Sequence, residues 1–372
     1  MNEASPAQLA PYVSGGAFAL AFIFGAVASK TNFCTMGAVS DWVNIGDRNR
    51  MRMWLLAIAV AVIGANALHL AGVVDLSKSI YQTPNFTWLS YVVGGLLFGV
   101  GMTLGSGCGS KTLIRIGAGN LKSVVVFVFL GIAAYMTLRG LFGAFRVDVL
   151  EKASVTLGSG QDLPSLLAAA TGVAKKTWIA ILTALVGGGL LAFVYSSREF
   201  RSSFDYTLGG VVTGLVVVGG WYVSGHLGYI AEDPNTLQEA FVGTNTGRME
   251  SFSFVSPMAF SLEYLMLWTD TSRIITYGIA SAAGVIAGSA AYALATKSFR
   301  WEGFRDAADT GNHMIGGVLM GFGGITALGC TVGQGISGFS TLALGSIVTF
   351  AAIVAGAAAT MKFQYWLIMQ EA

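Results

Sequence analysis

Three cysteines are the residues of this 372-residue chain whose type and spacing could do chemistry. Cys108 ends the segment GGLLFGVGMTLGSGC, which begins at Gly94, and Cys330 ends the segment GGVLMGFGGITALGC, which begins at Gly316. At a constant offset of 222 these segments share seven of fifteen residues, including the final Gly-Cys pair. The repeated thiols could act as weak hydrogen-bond donors, nucleophiles or metal ligands. Their recurrence predicts an internal duplication.

The third cysteine, Cys34, stands in the polar interruption KTNFCTM, and the offset of 222 pairs it with Ser256. Three thiols permit at most one disulfide, and their apolar or glycine-rich surroundings predict free thiols. No spacing of His, Cys and Asp suggests a metal site. No nucleophile, base and orienting acid stand together, so neither an enzyme nor a cofactor is expected.

The neighbours of the repeated cysteines complete the candidate site. Glycines there permit a positive φ or the close approach of a ligand, although they could equally serve helix packing, with the cysteines as small buried apolar residues. Lys111 lies one turn after Cys108, where it could add positive charge to an anion path or mark a membrane boundary. The predicted substrate-binding residues are Cys34, Cys108, Cys330, Gly107, Gly109, Lys111, Gly329, Thr331 and Gln334.

Composition places these residues in a membrane. Hydrophobic side chains make up 54% of the chain and charged ones 11%, and the mean hydropathy is +0.67, far from the values of soluble domains. A net charge of +2 suggests no nucleic-acid partner. Nine stretches have about the 20 apolar residues that a bilayer requires: 12–29, 53–74, 88–104, 121–141, 177–196, 205–223, 273–296, 312–328 and 341–362.

The repeat predicts an all-α fold of two inverted halves. Three basic clusters, at 48–52, 198–201 and 297–305, predict cytoplasmic loops, with the N-terminus outside and the C-terminus inside. One extra span between the halves would invert the second half. The predicted divisions are a first repeat over 1–141, an extracytoplasmic loop and connecting helix over 142–204, and a second repeat over 205–372.

Short segments after Cys34, Cys108, Ser256 and Cys330 cannot cross a bilayer, and we expect re-entrant half-helices there. Irregular backbone at membrane depth is tolerated only inside protein or beside a cavity. Unpaired N–H groups at half-helix N-termini carry partial positive charge and favour an anion. Asp41 and Glu263 occupy equivalent places in two of these segments; each is either a functional acid at membrane depth or an interfacial residue.

Together the loops around Cys34, Cys108 and Cys330 resemble those of the YeeE/YedE sulfur-transport family, from about Gly15 to the last span. The resemblance implies nine spans plus re-entrant helices in two inverted halves, import of thiosulfate, and a relay of three cysteines. It also implies that a cytoplasmic sulfur-carrier protein is a possible partner.

We therefore expect a multi-pass transporter of the bacterial inner membrane, surrounded by lipid, that imports thiosulfate or a related sulfur anion. Weak thiol donors and helix N-termini would hold the dianion without trapping it. The alternatives are an intramembrane thiol enzyme and a subunit that relays persulfide sulfur, against which the lack of a CxxC pair argues.

Overall fold

A computed structural model describes residues 6–234 and 236–371, and within these ranges the chain is almost entirely helical. The first five residues of the predicted first repeat and the last residue of the second lie outside the described ranges. The helices in chain order are α1 Pro6–Thr31, α2 Thr35–Ser40, α3 Asn49–Leu70, α4 Trp88–Leu104, α5 Gly109–Gly117, α6 Leu121–Arg139, α7 Leu141–Phe145, α8 Leu163–Thr171, α9 Lys175–Tyr195, α10 Arg198–Ser202, α11 Phe204–Tyr222, α12 Ser256–Met266, α13 Tyr277–Ala295, α14 Ala307–Thr326 and α15 Leu344–Glu371.

The described residues include eight helices that are long and apolar enough to cross a membrane, which confirms the all-α membrane fold. They contain α1, α3, α4, α6, α9, α11, α13 and α15. The remaining predicted span, 312–328, corresponds to α14, which has 20 residues but begins with the polar stretch AADTGNH. The count of nine therefore stays a prediction.

Short elements close the gaps between the long helices. Four π-helical turns lie at Asp41–Ile45, Arg146–Leu150, Val223–Leu227 and Gly333–Gly338, and a 3₁₀ turn lies at Leu76–Lys78. Two antiparallel strand pairs join β1 Asn85–Phe86 to β2 Val155–Thr156, and β3 Tyr229–Ile230 to β4 Ala240–Phe241.

The connections gather on two faces. We call the surface built by residues 71–87, 146–174 and 228–254 the long-connection face; its segments are joined by the β1–β2 pair and by the Lys78–Glu239 ion pair. We call the surface built by 41–50, 196–205 and 297–312 the basic face. There Asn49 donates to Glu199 at 3.2 Å, and residues 40–44 line one cavity with residues 309–313.

The main helix pairs join one half of the chain to the other: α1 packs on α13, α3 on α11, α4 on α14 and α15, and α6 on α14. In contrast, α9, from the connecting region, packs mainly on α3, and much of it is exposed. The core is thus formed by interdigitated halves with α9 at the periphery.

Glycines allow the close contact between α4 and α14. A Cβ atom at Gly94 would lie 2.7 Å from the carbonyl oxygen of Gly323, and one at Gly101 would lie 2.7 Å from that of Gly316. Gly94 is the repeat equivalent of Gly316, and Gly101 that of Gly323, so the contacts are reciprocal, as in a two-fold interface. These four glycines serve helix packing, and their reciprocal contacts fit two structurally equivalent halves. The inverted arrangement of the halves stays a prediction.

Candidate functional site

All three cysteines follow the same break in the backbone. Two residues before each, the chain adopts a left-handed conformation, with φ of 52° at Asn32, 56° at Ser106 and 59° at Leu328. One residue before each, the N–H donates to the carbonyl five positions earlier, at distances between 2.7 and 3.1 Å. This is the Schellman end of a helix. Each break ends one helix and begins a short one after the cysteine.

Non-glycine residues adopt the left-handed conformation at these breaks, in contrast to the sequence-based expectation. Gly107, Gly109 and Gly329 are not among the glycines with positive φ. Added Cβ atoms at Gly107 and Gly329 would lie 3.2 Å from the Lys111 side chain and 3.3 Å from that of Gln334. These two glycines leave room for the first turn of the following helix.

The thiols of Cys34 and Cys330 bind the first turns of the helices that they precede. Gly37 N donates to Cys34 Sγ at 3.4 Å, and Gly333 N donates to Cys330 Sγ at 3.4 Å. The Cys330 sulfur also accepts from Phe254 N at 3.3 Å. Because these N–H groups are otherwise orphans of a helix start, the sulfurs occupy positions that favour partial negative charge.

Cys108 lies between the other two thiols. Its sulfur contacts the Ser110 hydroxyl at 3.3 Å and is close enough to the Cys34 side chain for the two to interact. Toward Cys330, Thr331 lies beside the Cys108 side chain. The exposed fractions are 7% for Cys34 and 0% for both Cys108 and Cys330, so the row of thiols is closed to solvent.

The other predicted residues surround this row. Lys111 is half-buried and close to both Cys34 and Cys108, and its part in an anion path stays a prediction. Gln334 donates from Nε2 to Ala327 O. Among the described residues, the Thr331 hydroxyl and the Gln334 amide oxygen are buried without a hydrogen-bond partner, so unused polar groups lie in the row.

Gly109 brings the Cys108 loop against Phe254, a residue that also binds Cys330. An added Cβ there would lie 3.0 Å from Phe254 O, while Phe254 N binds the Cys330 sulfur at 3.3 Å. Phe254 and the adjacent Ser253 were not predicted as site residues from the sequence. The duplication carried a signal, because an offset of 222 maps Thr31 and Asn32 of the Cys34 loop onto these two residues.

Basic side chains stand on the Cys34 side of the row. Arg50 pairs with Asp41 at 3.1 Å, and an added Cβ at Gly37 would lie 2.4 Å from a guanidinium nitrogen of Arg50. Arg115 donates to Ser106 O at 2.8 Å. With Lys111, these arginines make this side of the row positively charged. Arg50 was not predicted as a site residue, because in the sequence it was only one member of a basic cluster that indicates a cytoplasmic loop.

The equivalent acids have separate partners. Asp41 is held by Arg50, whereas Glu263, 4% exposed, accepts from Tyr135 at 3.0 Å and pairs with Arg273 at 3.0 Å. Both carboxylates are therefore neutralised by arginine. Among the described residues, no group of three His, Cys, Asp or Glu side chains could hold a metal ion.

Comparison with known proteins identifies the family. The sequence profile described as sulphur transport matches residues 30–359, which include all three cysteine loops. The chain belongs to the sulphur transport family. It is 27% identical to the thiosulfate transporter TsuA of Escherichia coli (strain K12) over 325 residues, 84% of each chain. It is 25% identical to TsuA of Spirochaeta thermophila over 335 residues, 87% of this chain and 91% of that protein.

Membership of the sulphur transport family confirms the resemblance carried by the cysteine loops. Together with the apolar helices, it makes the chain a multi-pass membrane protein of a sulfur-transport class. The family match covers the whole row of thiols and both sides of the α4–α14 contact.

Proposed function

We propose that the protein imports thiosulfate, or a closely related sulfur anion, along the row Cys330, Cys108, Cys34. The observation that carries this proposal is the central position of Cys108, beside Cys34 on one side and Thr331 on the other. Thiosulfate transporters among the relatives support the choice of anion.

Each thiol can offer a weak S–H donor while the adjacent helix start offers N–H groups. The unpartnered Thr331 hydroxyl adds a donor between Cys330 and Cys108. A dianion that passes between weak donors is bound strongly enough to enter the path and weakly enough to leave it. Because the row is closed to solvent, passage requires side-chain movement.

In this proposal, the direction of anion transport follows from the positions of the lysine and arginine clusters. The long-connection face would be extracytoplasmic and the basic face cytoplasmic, as lysine and arginine clusters favour. Arg50, Lys111 and Arg115 would attract the anion toward the cytoplasmic end. A sulfur-carrier protein at the basic face would receive it, and lipid would surround the exposed helices.

The test is uptake of labelled thiosulfate by proteoliposomes containing wild type, Cys34→Ala, Cys108→Ala or Cys330→Ala. We expect Cys108→Ala to lower uptake most, by about tenfold, equivalent to about 1.4 kcal/mol. Thr183→Ala, which removes a buried hydroxyl from the peripheral α9, is the matched control. Wild-type rates in all three cysteine variants would contradict the relay.

A second candidate function follows from the contact between Cys34 and Cys108. One thiol could attack the outer sulfur of thiosulfate, forming a persulfide and releasing sulfite, while its proton passes to the new terminal sulfur. Mass spectrometry distinguishes the two functions. A gain of one sulfur atom on Cys34 or Cys108, with equimolar sulfite, supports the enzyme; unmodified protein during active uptake supports transport.

A further inference from the structure

Glu250 is an acidic residue placed beside the Cys330 end of the row, and the transport path described above does not use it. It lies in the long-connection face, six residues before α12, and is half-buried. Its Oε1 atom accepts from Asn245 N at 3.4 Å. Among the described residues, no lysine or arginine forms an ion pair with Glu250, in contrast to Asp41 and Glu263.

A small cavity lies beside Glu250, on the side of Cys330. The cavity, of about 40 Å³, is lined by Glu250, Ser253 and Tyr277, among others, and has room for two or three water molecules. Ser253 reaches from the cavity to Cys330, with its hydroxyl 4.0 Å from the sulfur. Leu328, the left-handed residue before Cys330, also lines the cavity.

Two tyrosine hydroxyls near the cavity are unused. Tyr81 and Tyr277 are 2% and 1% exposed, and in the described part of the chain their hydroxyls have no hydrogen-bond partner. The Tyr81 hydroxyl lies 3.4 Å from where a Cβ of Gly333 would stand, in the turn that binds Cys330. Such hydroxyls are neutral near pH 7, because a phenol ordinarily titrates near pH 10.

We propose that Glu250 binds a proton and thereby controls access of the anion from the long-connection face to Cys330. When Glu250 is protonated, its O–H group joins the hydroxyls of Ser253, Tyr81 and Tyr277 as a hydrogen-bond donor. The route of the anion to Cys330 is then neutral and rich in donors. Ionised Glu250 places a negative charge in a buried approach with no cation to offset it, and it repels the dianion. This inference rests on the proposed transport of a sulfur anion.

Titration of Glu250 falls in the physiological range. Loss of hydration on burial raises its pKa from the ordinary value to about 7, opposed only by the Asn245 N–H bond. The titratable groups facing it from other elements are Tyr277 of α13 and Tyr81 of the segment after the 3₁₀ turn, and Tyr81 also faces Cys330. Arg248, two residues earlier, is exposed.

The experiment measures the pH dependence of thiosulfate uptake by proteoliposomes with equal pH on both sides. Wild type is compared with Glu250→Gln and with Glu232→Gln, an exposed carboxylate in the same segment. Between pH 6 and pH 8 we expect kcat/KM for uptake to fall about tenfold in wild type and Glu232→Gln, following the neutral fraction of a group with a pKa of about 7. Glu250→Gln should keep the pH 6 rate throughout, because its amide cannot ionise.

Two transport outcomes would overturn the proposal: a wild-type pH profile in Glu250→Gln, or a folded Glu250→Gln that is inactive at every pH. Absence of wild-type uptake at pH 6 would instead overturn the transport function itself. Infrared titration of the protonated carboxyl band distinguishes a failure of the Glu250 proposal from a failure of the transport function. It requires no variant. A band that titrates near pH 7, and at higher pH with thiosulfate present, supports the proposal through reciprocal linkage; a band unmoved by thiosulfate overturns it.

Discussion

The side chains that define this site are three thiols presented by one repeated backbone turn. Each follows a left-handed residue and begins a short helix, and the sulfurs of Cys34 and Cys330 accept from N–H groups in the first turn of that helix. Cys34 shows that the arrangement does not depend on the duplication, because its repeat position is Ser256. Phe254, two residues before Ser256, is not among the described residues with positive φ. The position of Cys34 therefore depends on a helix break of its own, which the equivalent position in the second half lacks.

At the residue scale, the contact between Cys34 and Cys108 predicts that an oxidant joins these two thiols selectively in a disulfide. Diamide should accept two electrons and two protons from these thiols and join them, leaving Cys330 alkylatable. Uptake should fall to background and recover with dithiothreitol. Alkylation and peptide mass mapping provide the measurement.

Cys34→Ser is the control for this oxidation, since it removes one partner and restores the repeat identity at the position. It should form no intramolecular disulfide. A disulfide between Cys34 and Cys330 in the wild-type protein would show that the order of thiols along the row is wrong.

At the scale of elements, glycine contacts between α4 and α14 hold the cysteine loops in place, because both loops begin where these helices end. Gly101→Ala would push a methyl group to within 2.7 Å of the Gly316 carbonyl oxygen. We expect a loss of about 1–3 kcal/mol in the free energy of unfolding, measured by denaturant titration in detergent.

Gly188→Ala is the matched control for Gly101→Ala. Gly188 lies on α9 with open space around its would-be Cβ atom, and alanine there should be neutral or stabilise the helix by up to about 1 kcal/mol. Equal destabilisation by both changes would mean that the reciprocal glycine contact has no special role.

Lysine and arginine residues cluster on the basic face, and this clustering predicts the orientation of the whole molecule. The basic face should lie in the cytoplasm. Alkaline phosphatase fused after Gly158, in the long-connection face, should be active outside the cytoplasm, while green fluorescent protein fused after the last residue should fluoresce inside. The reverse pattern would place the anion's route in the export direction.

Some features were accessible from sequence because they depend on local periodicity and composition. Spans at 88–104 and 121–141 correspond closely to α4 and α6, since apolar runs of that length are largely determined by the bilayer. The short helices after each cysteine were predicted for the same reason. The π-turns at Asp41–Ile45 and Gly333–Gly338 were not, because a widened turn depends on packing around it.

The sequence by itself determined the membrane class, the duplication and the three candidate thiols, because hydropathy and repetition are properties of the chain alone. Tertiary structure alone decided that Cys108 lies beside both Cys34 and Thr331 of the Cys330 loop, that Phe254 binds Cys330, and that Glu250 and Ser253 line the same cavity. These relations join residues far apart in the chain, and only the interdigitation of the two halves brings them together.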